Sequence, residues 1–175
     1  GTLTHQRDEG NANATVVVNG GTVEVQGNLV VGTGAGGGTT LVTFTGTAAQ
    51  TITHSGGTPP AGTWTINKSS GTVALASNLT LGTSQALTIT AGTLDQGASY
   101  NLTAGAITVG ASGILKNLGT GDLTLGGNLS NSGTVNFDGG RTGCGTDDIL
   151  IRSSATPTQR LWSGSGTFTI QDVDV

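Results

Sequence analysis

Acidic residues near the C-terminal end of the chain have the types and spacing of a calcium site. Asp147 and Asp148 lie in the run 143–149, which matches most of the Gly-x-Gly-x-Asp-x-aliphatic repeat that binds calcium. Asp138 could supply a further carboxylate. Calcium takes six to eight oxygen ligands, whereas this run occurs once and its leading glycine is replaced by Thr142. The sequence therefore leaves two alternatives, a calcium site at Asp138, Asp147 and Asp148 or a solvated turn, and it favours the turn.

A polysaccharide-degrading enzyme is a second chemistry that the sequence raises. Hydrolysis of a glycosidic bond needs two carboxyl groups at a set separation, and proton abstraction needs a base beside a neutralising cation. Ionisable residues that could meet this need cluster in one place: Asp138, Arg141, Asp147, Asp148 and Arg152. Aromatic side chains that could stack on a sugar ring are Trp64, Tyr100 and Trp162. Because the rest of the chain has so few ionisable groups, we expect no enzymatic activity, and no cofactor apart from the calcium alternative.

Paired threonines raise a third chemistry, binding to ice or to a glycan. Thr-x-Thr pairs occur in several strand-like segments: Thr43/Thr45, Thr51/Thr53, Thr63/Thr65, Thr88/Thr90 and Thr167/Thr169. Hydroxyls two residues apart on a strand lie about 6.7 Å apart, and stacked strands repeat them at about 4.8 Å, close to the spacings of an ice lattice. The pairs begin 8, 12, 25 and 79 residues apart, so they do not recur once per repeat. We therefore predict solvent-facing strand threonines, with a glycan- or ice-binding solenoid as the alternative.

Asparagine corners and isolated reactive residues have structural interpretations as well as functional ones. The pattern Asn-x-Ser/Thr occurs at Asn13, Asn67, Asn78, Asn101 and Asn128. These residues could carry N-linked glycans, but Asn also adopts turn geometry and stacks into amide ladders, which is the interpretation we favour. His5, His54 and the single cysteine, Cys144, have no partners at catalytic or metal-binding spacing, so we expect structural roles for them.

The composition limits the partners of this 175-residue chain, whose length suits one domain. Charged residues make up 9%, the net charge is −4, and Lys and Arg together number 6, so we expect no nucleic acid or anionic membrane partner. No apolar run approaches the roughly twenty residues of a membrane-spanning helix, which argues against membrane insertion. Short β-branched runs between Gly and Asn indicate an all-β chain. Low charge and many small polar residues indicate a secreted or surface protein.

A glycine-led strand cassette predicts the architecture that must position these residues. It begins at Gly71, Gly92, Gly113 and Gly133, at intervals of 21, 21 and 20 residues. A fixed period near twenty is typical of a solenoid, in which each repeat is one coil stacked on the last. Aliphatic residues alternate with threonines in segments such as 87–90, which places hydrocarbon inside the coil and hydroxyls outside.

We therefore predict an all-β, right-handed parallel β-solenoid (β-helix) with about 20–21 residues per coil, three short strands of three to five residues in each, and about eight coils. One inward column should be formed by the aliphatic residues of the cassettes: Val73, Leu94, Leu115 and Val135. The predicted parts are an irregular polar lead-in or cap at 1–14, regular coils at 15–137 that begin with a strand at 15–18, and a loop insertion with the terminal coil or coils at 138–175.

Recurring turns and the closing stretch carry a resemblance to a known group of proteins. These features are the Asn-Leu-Thr or Asn-Leu-Ser turns at 78–80, 101–103 and 128–130, the cassettes beside them, and the closing segments 149–154, Trp162 and 172–175. The chain resembles the Gly/Thr-rich β-helix repeat modules of large bacterial surface and secreted proteins, of the adhesin-like and autotransporter-passenger type. The resemblance implies a structural module of an extracellular fibre, stalk or adhesin, and it carries over no catalytic residue.

Self-association is the partner interaction that the predicted architecture favours. The terminal coil of a solenoid has an unpaired strand edge, to which another copy can add a strand. The closing residues Asp172, Val173, Asp174 and Val175 are the candidate interface for such a contact with the first strand of a neighbouring module. We therefore expect modules joined end to end, with surface glycans as a further partner.

Overall fold

The structure, a computed structural model, describes residues 1–7, 14–139 and 149–174 of the chain. These residues form β-strands and no helix. The strands, numbered along the chain, are β1 (Thr2–His5), β2 (Thr22–Val25), β3 (Asn28–Val31), β4 (Leu41–Phe44), β5 (Gln50–His54), β6 (Trp64–Leu75), β7 (Leu79–Thr80), β8 (Leu87–Asp95), β9 (Leu102–Ala104), β10 (Ile107–Asn117), β11 (Leu123–Leu125), β12 (Leu129–Asn131), β13 (Thr134–Asp138), β14 (Ile149–Ser153), β15 (Trp162–Ser163), β16 (Thr167–Gln171) and β17 (Val173–Asp174).

The strands wind into a parallel β-solenoid of about seven turns, which confirms the predicted fold class. The first face consists of β2, β4, the first parts of β6, β8 and β10, and then β12 and β15. The second face consists of β1, β3, β5, the second parts of β6, β8 and β10, and then β13 and β16. The third face is a separate five-stranded sheet of β7, β9, β11, β14 and β17. Every pairing between these strands is parallel, because each strand meets its equivalent one turn later.

The inward column predicted from the glycine-led cassettes is present on the second face. Val73 pairs with Leu94, Leu94 with Leu115, and Leu115 with Val135. Phe168 continues the column by pairing with Val135. The first four of these side chains are fully buried. The coil period read from the glycines is therefore the period of the structure in this region.

Three strands are longer than the three to five residues predicted for every strand. β6, β8 and β10 contain 12, 9 and 11 residues, and each runs around the corner between the first and second faces. Gly71 and Gly92 turn this corner with φ angles of 78° and 83°, a backbone region that residues other than glycine rarely adopt. At Gly113 a Cβ atom would lie 2.1 Å from the carbonyl oxygen of Ile89. The cassettes begin with glycine because the backbone bends or approaches the previous coil there.

The number of turns is lower than the predicted eight, because coil length is not constant. Leu94 and its partner Leu115 are 21 residues apart (115 minus 94), whereas Val135 and Phe168 are 33 apart (168 minus 135). The long final coil includes the residues after Asp138 and a loop at 154–161. Inserted residues in this coil lengthen the chain without adding a turn.

The N-terminal region differs from the prediction in two respects. Thr2–His5, placed in an irregular lead-in by the sequence, form β1 and pair in register with β3. The strand predicted at 15–18 is wrong, since only Val16 forms an isolated parallel bridge, with Ala35. The alternation of exposed and buried residues needed to extend that strand is missing, because residues 15–17 are all exposed.

Alternating side chains explain why the chain winds as it does. In β8, Leu87 and Ile89 are buried while Thr88 between them faces outward, and the same pattern holds in β10 and β11. Burying an aliphatic side chain of this size stabilises a fold by about 1.5–3 kcal/mol. Trp64 and Phe44 fill the core of neighbouring coils with ring centroids 6.1 Å apart. The aliphatic and aromatic interior is thus continuous along the axis.

Buried amide side chains hold the corners of the coils. The Nδ2 group of Asn117 donates to the carbonyl oxygen of Gly121 at 2.7 Å, and its Oδ1 accepts from the N–H of Gly119 at 3.1 Å. Asn131, at the corner between the first and second faces, donates to the carbonyl oxygen of Thr167 in the next coil at 2.8 Å and accepts from the N–H of Gly133 at 2.9 Å. Each backbone N–H or carbonyl group left without a hydrogen bond at a buried corner would lower the stability of the fold. These amides replace the ladder partners that the backbone loses where it bends.

Candidate functional site

The calcium alternative concerns residues that the structure describes only in part. Asp138 is the last residue of β13, where it pairs with Gln171 of β16 and is half-buried. Asp147 and Asp148 lie outside the described residues. Within residues 1–7, 14–139 and 149–174 there is no group of three or more His, Cys, Asp or Glu that could hold a metal ion. A calcium site at Asp138, Asp147 and Asp148 therefore stays a prediction.

The proposed catalytic cluster is likewise seen only in part. Arg152 points outward on the third face and forms an ion pair with Asp122. Arg141, Asp147 and Asp148 lie outside the described residues. An ion pair that is this exposed contributes little to stability, typically about 0–1 kcal/mol. The pair is a surface contact between neighbouring coils, and the sequence analysis did not include its carboxylate.

Of the three aromatic candidates, Trp64 is inside the core, and Tyr100 and Trp162 are half-buried against it. Trp64 is fully buried and donates from Nε1 to the carbonyl oxygen of Pro60 at 3.0 Å, so its assignment as a sugar platform is wrong. Trp162 is half-buried between Phe137 and Phe168, with ring centroids 6.0 Å from each. The alternation Trp64-x-Ile66 already indicates an inward tryptophan, because it places the indole on the same side as a buried isoleucine.

Three of the five asparagine corners, Asn78, Asn101 and Asn128, bond to the backbone of the next coil. Asn67 is exposed within β6, and Asn13 lies outside the described residues. Oδ1 of Asn78 accepts the backbone N–H of Asn101 at 2.9 Å, and Oδ1 of Asn101 accepts the N–H of Asp122 at 2.9 Å. Asn128, at a different corner before β12, makes the same kind of contact by accepting the N–H of Leu161 in the next coil at 3.0 Å. Each amide oxygen thus satisfies a backbone donor of the next coil. This contact carries the turn interpretation of these residues.

Both histidines contact backbone carbonyl groups. Nε2 of His5, which is buried, lies 2.7 Å from the carbonyl oxygen of Val16. Nε2 of His54 lies 3.2 Å from the carbonyl oxygen of Gly57. These contacts tie neighbouring segments of the chain together, as the structural roles predicted for both residues require. Cys144 lies outside the described residues.

The residues predicted as an interface begin the last described turn of the third face. Val173 and Asp174 form β17, which pairs with Ile149 and Leu150 of β14. Asp172 precedes this strand with a φ of 50°. Val175 lies outside the described residues. Self-association through Asp172, Val173, Asp174 and Val175 stays a prediction.

Buried Lys68 is a feature that the sequence analysis missed. It follows Trp64 and Ile66 on the inward side of β6 and is 1% exposed. Its Nζ group donates to the carbonyl oxygens of Gly46 and Ala48 and to Oε1 of Gln50 in the preceding coil. Burial lowers the pKa of Lys68 from its ordinary value. An ammonium group has three N–H donors, and all three have acceptors here, so Lys68 clamps a corner.

A groove of about 710 Å³ runs beside the loop 154–161 in the last described coil. Arg152, Arg160 and Trp162 are among its lining residues. The Nε atom of Arg160 is buried without a hydrogen-bond partner. A bound water molecule or anionic group would satisfy this nitrogen. Among the described residues that line the groove, none is an acidic side chain that could act as a base.

A column of hydroxyl groups runs along the outer side of the first face. We call it the hydroxyl column: Thr43, Thr65, Thr88, Thr108, Ser130 and Ser163. The threonine pairs themselves do not recur once per coil on this face, as predicted, because Thr43 begins its pair whereas its partner Thr65 ends one. Thr51/Thr53 and Thr167/Thr169 lie on the second face, in β5 and β16. The feature that recurs once per coil is a single hydroxyl, which a search for pairs does not detect.

These observations define a β-solenoid repeat protein with uncharged hydroxyl groups in register on one face. Comparison with protein-family models, curated proteins and solved structures finds no match to this chain. Among the described residues there is also no helix with the length and apolar character needed to cross a membrane. The function must therefore be argued from the geometry alone.

Proposed function

We propose that this chain is a structural module of a bacterial extracellular fibre, stalk or adhesin, and that it acts as a rigid spacer and not as an enzyme. The observation that supports this proposal is the unbroken inward column from Val73 to Phe168, with a parallel ladder on either side of each rung. In such an array each coil contacts only its neighbours, so stability adds along the axis. Further coils can extend the rod without changing its cross-section.

The dimensions suit a spacer. About seven turns at roughly 4.8 Å per turn give a length of about 34 Å for one module. The backbone hydrogen bonds between coils run along this axis, so a pulling force along the rod acts on many of them together. Hydrophobic contacts inside the coils, such as Leu94 with Leu115, resist the same force.

End-to-end contact is the partner interaction that we propose for such a module. β17 pairs with β14 through Val173 and Asp174, and no further strand pairs with β17 in the described part of the chain. An unpaired parallel edge can accept a strand from another module. Surface glycans remain a second proposed partner.

Electron microscopy and sedimentation of the purified protein test this proposal. We expect short rods that associate into longer ones as the concentration rises. Val173→Pro removes a backbone donor from β17 and should reduce this association. The control is Thr103→Asp, on the outer side of β9. Proline is not used at this position because it would break a ladder in the middle of the sheet. A compact particle would contradict the spacer role, whereas monomers at every concentration would contradict only the self-association.

A further inference from the structure

The hydroxyl column has a regular geometry that its sequence spacing does not reveal. Its members alternate with fully buried side chains on the same strands, for example Thr65 between Trp64 and Ile66 and Thr88 between Leu87 and Ile89. Alternation with buried residues fixes each hydroxyl on the outer side of the solenoid. The parallel register then repeats it once per turn, at about 4.8 Å.

The members of the column are stiff and unpartnered. Four of the six are threonines, whose branched Cβ restricts χ1 and so fixes both the hydroxyl and the methyl group. Within the described residues, the hydroxyl groups of these side chains have no protein partner for a hydrogen bond. They are therefore available to order water molecules along the whole face.

Among the described residues, the first-face segments that carry the column have no ionic side chain from β4 to β15. The residues that precede the buried position on each rung form a neighbouring row: Leu41, Thr63, Ala86, Ala106, Asn128 and Leu161. Glu24 lies opposite Thr43 only at the N-terminal end of the face. The other faces differ, since Asp95 and Lys116 form an ion pair at 2.8 Å on the second face. From β4 to β15 the described part of the first face thus combines fixed hydroxyls with methyl groups and has no ionic side chain.

These features favour an ordered water lattice over other occupants. A nucleic acid or an acidic polymer would need cations, and the first face has none between β4 and β15. A crystalline polysaccharide would be expected to stack on exposed aromatic rings, but Trp64 on this face is inside the core and Trp162 is half-buried against Phe137 and Phe168. We propose that the hydroxyl column, with its neighbouring row, binds the surface of ice. This proposal does not depend on the spacer role.

Ice affinity and thermal hysteresis of the purified protein test this proposal. We expect the protein to be taken up into a growing ice front and to lower the freezing point below the melting point. Thr88→Tyr places a bulky ring on the hydroxyl column and should abolish both effects. The matched control is Thr93→Tyr, because Thr93 lies in the same strand, is half-buried like Thr88 and points outward on the second face. Circular dichroism and thermal unfolding check that both variants fold.

A second pair of variants covers the case in which a tyrosine disturbs β8. Thr108→Lys on the first face should lose ice binding, and Ile114→Lys on the second face of β10 should keep it. Exclusion of the native protein from ice, or equal behaviour of first-face and second-face variants, would overturn the proposal. Binding to crystalline cellulose or chitin without binding to ice would also overturn it and assign the face to a neutral polysaccharide.

Discussion

Truncation of Leu115 to alanine tests whether the inward column carries the stability of the solenoid. Leu115 is fully buried between Leu94 and Val135, and the parallel register fixes both neighbours. A Leu→Ala change in a core costs about 2–5 kcal/mol, and more where the surroundings cannot move into the cavity. The adjacent coils are held by backbone ladders, so we expect the free energy of unfolding to fall by about 3–5 kcal/mol.

Urea unfolding followed by far-UV circular dichroism measures this change, with equal m values as the sign that both variants unfold in the same way. Ile114→Ala is the matched control, because Ile114 precedes Leu115 in β10 and points outward with 37% of its surface exposed. The control should lose less than about 1 kcal/mol. Equal losses for the two variants, or a loss below about 1 kcal/mol for Leu115→Ala, would refute the reasoning.

Three further changes test the corners of the coils. Because burial lowers the pKa of Lys68 from 10.5, the unfolded chain binds more protons than the folded chain between the folded-state pKa and 10.5. The stability of the native protein relative to Lys68→Met should therefore rise with pH across that window, and urea midpoints that keep a constant difference would contradict this. Asn101→Ala leaves the N–H of Asp122 without its acceptor and should cost about 1 kcal/mol in thermal unfolding, whereas Asn101→Asp keeps the acceptor and most of the stability. Gly92→Ala should cost more than about 1 kcal/mol, since φ is 83° and a Cβ would meet Lys68 at 2.8 Å, while Gly82→Ala meets only an ordinary contact at 3.6 Å and should change the midpoint little.

The period of the fold could be predicted from the sequence because one backbone requirement recurs in it. Gly71 and Gly92 adopt positive φ angles at the same corner, and Gly113 approaches the previous coil too closely for a side chain. Because only glycine meets this requirement, glycine recurs at the same position of each coil, and this recurrence can be read from the sequence. The inward column can be predicted from the recurring glycines, because Val73 and Leu94 each lie two residues after the glycine of their coil.

The hydroxyl column could not be read from spacing along the chain, because the coils differ in length. Thr43 and Thr65 are 22 residues apart (65 minus 43), and Thr88 and Thr108 are 20 apart (108 minus 88). Threonine pairs such as Thr51/Thr53 belong to another face, which only the register reveals. Strand propensity alone favours threonine at every outward position, so the residue type does not identify the face.

Lys68 was missed for a different reason, since lysine is rarely buried without partners. The alternation from Trp64 through Ile66 places position 68 inside the coil. Its acceptors include the carbonyl groups of Gly46 and Ala48 in another coil, and no local sequence pattern predicts these contacts. The signal was therefore present in the alternation, while the reason for tolerating a lysine there depends on tertiary contacts.

The corner that joins the third face to the first accommodates chain segments of very different length. Between β11 and β12 it contains residues 126–128, and one coil later, between β14 and β15, it contains 154–161. The flanking bonds persist, since Ser154 still donates to Leu125 and Leu161 still donates to Asn128. A solenoid with such a corner is suited to grafting. A foreign peptide inserted between Gly126 and Gly127 would project from the side of the solenoid, while the strands of the neighbouring coils stay paired.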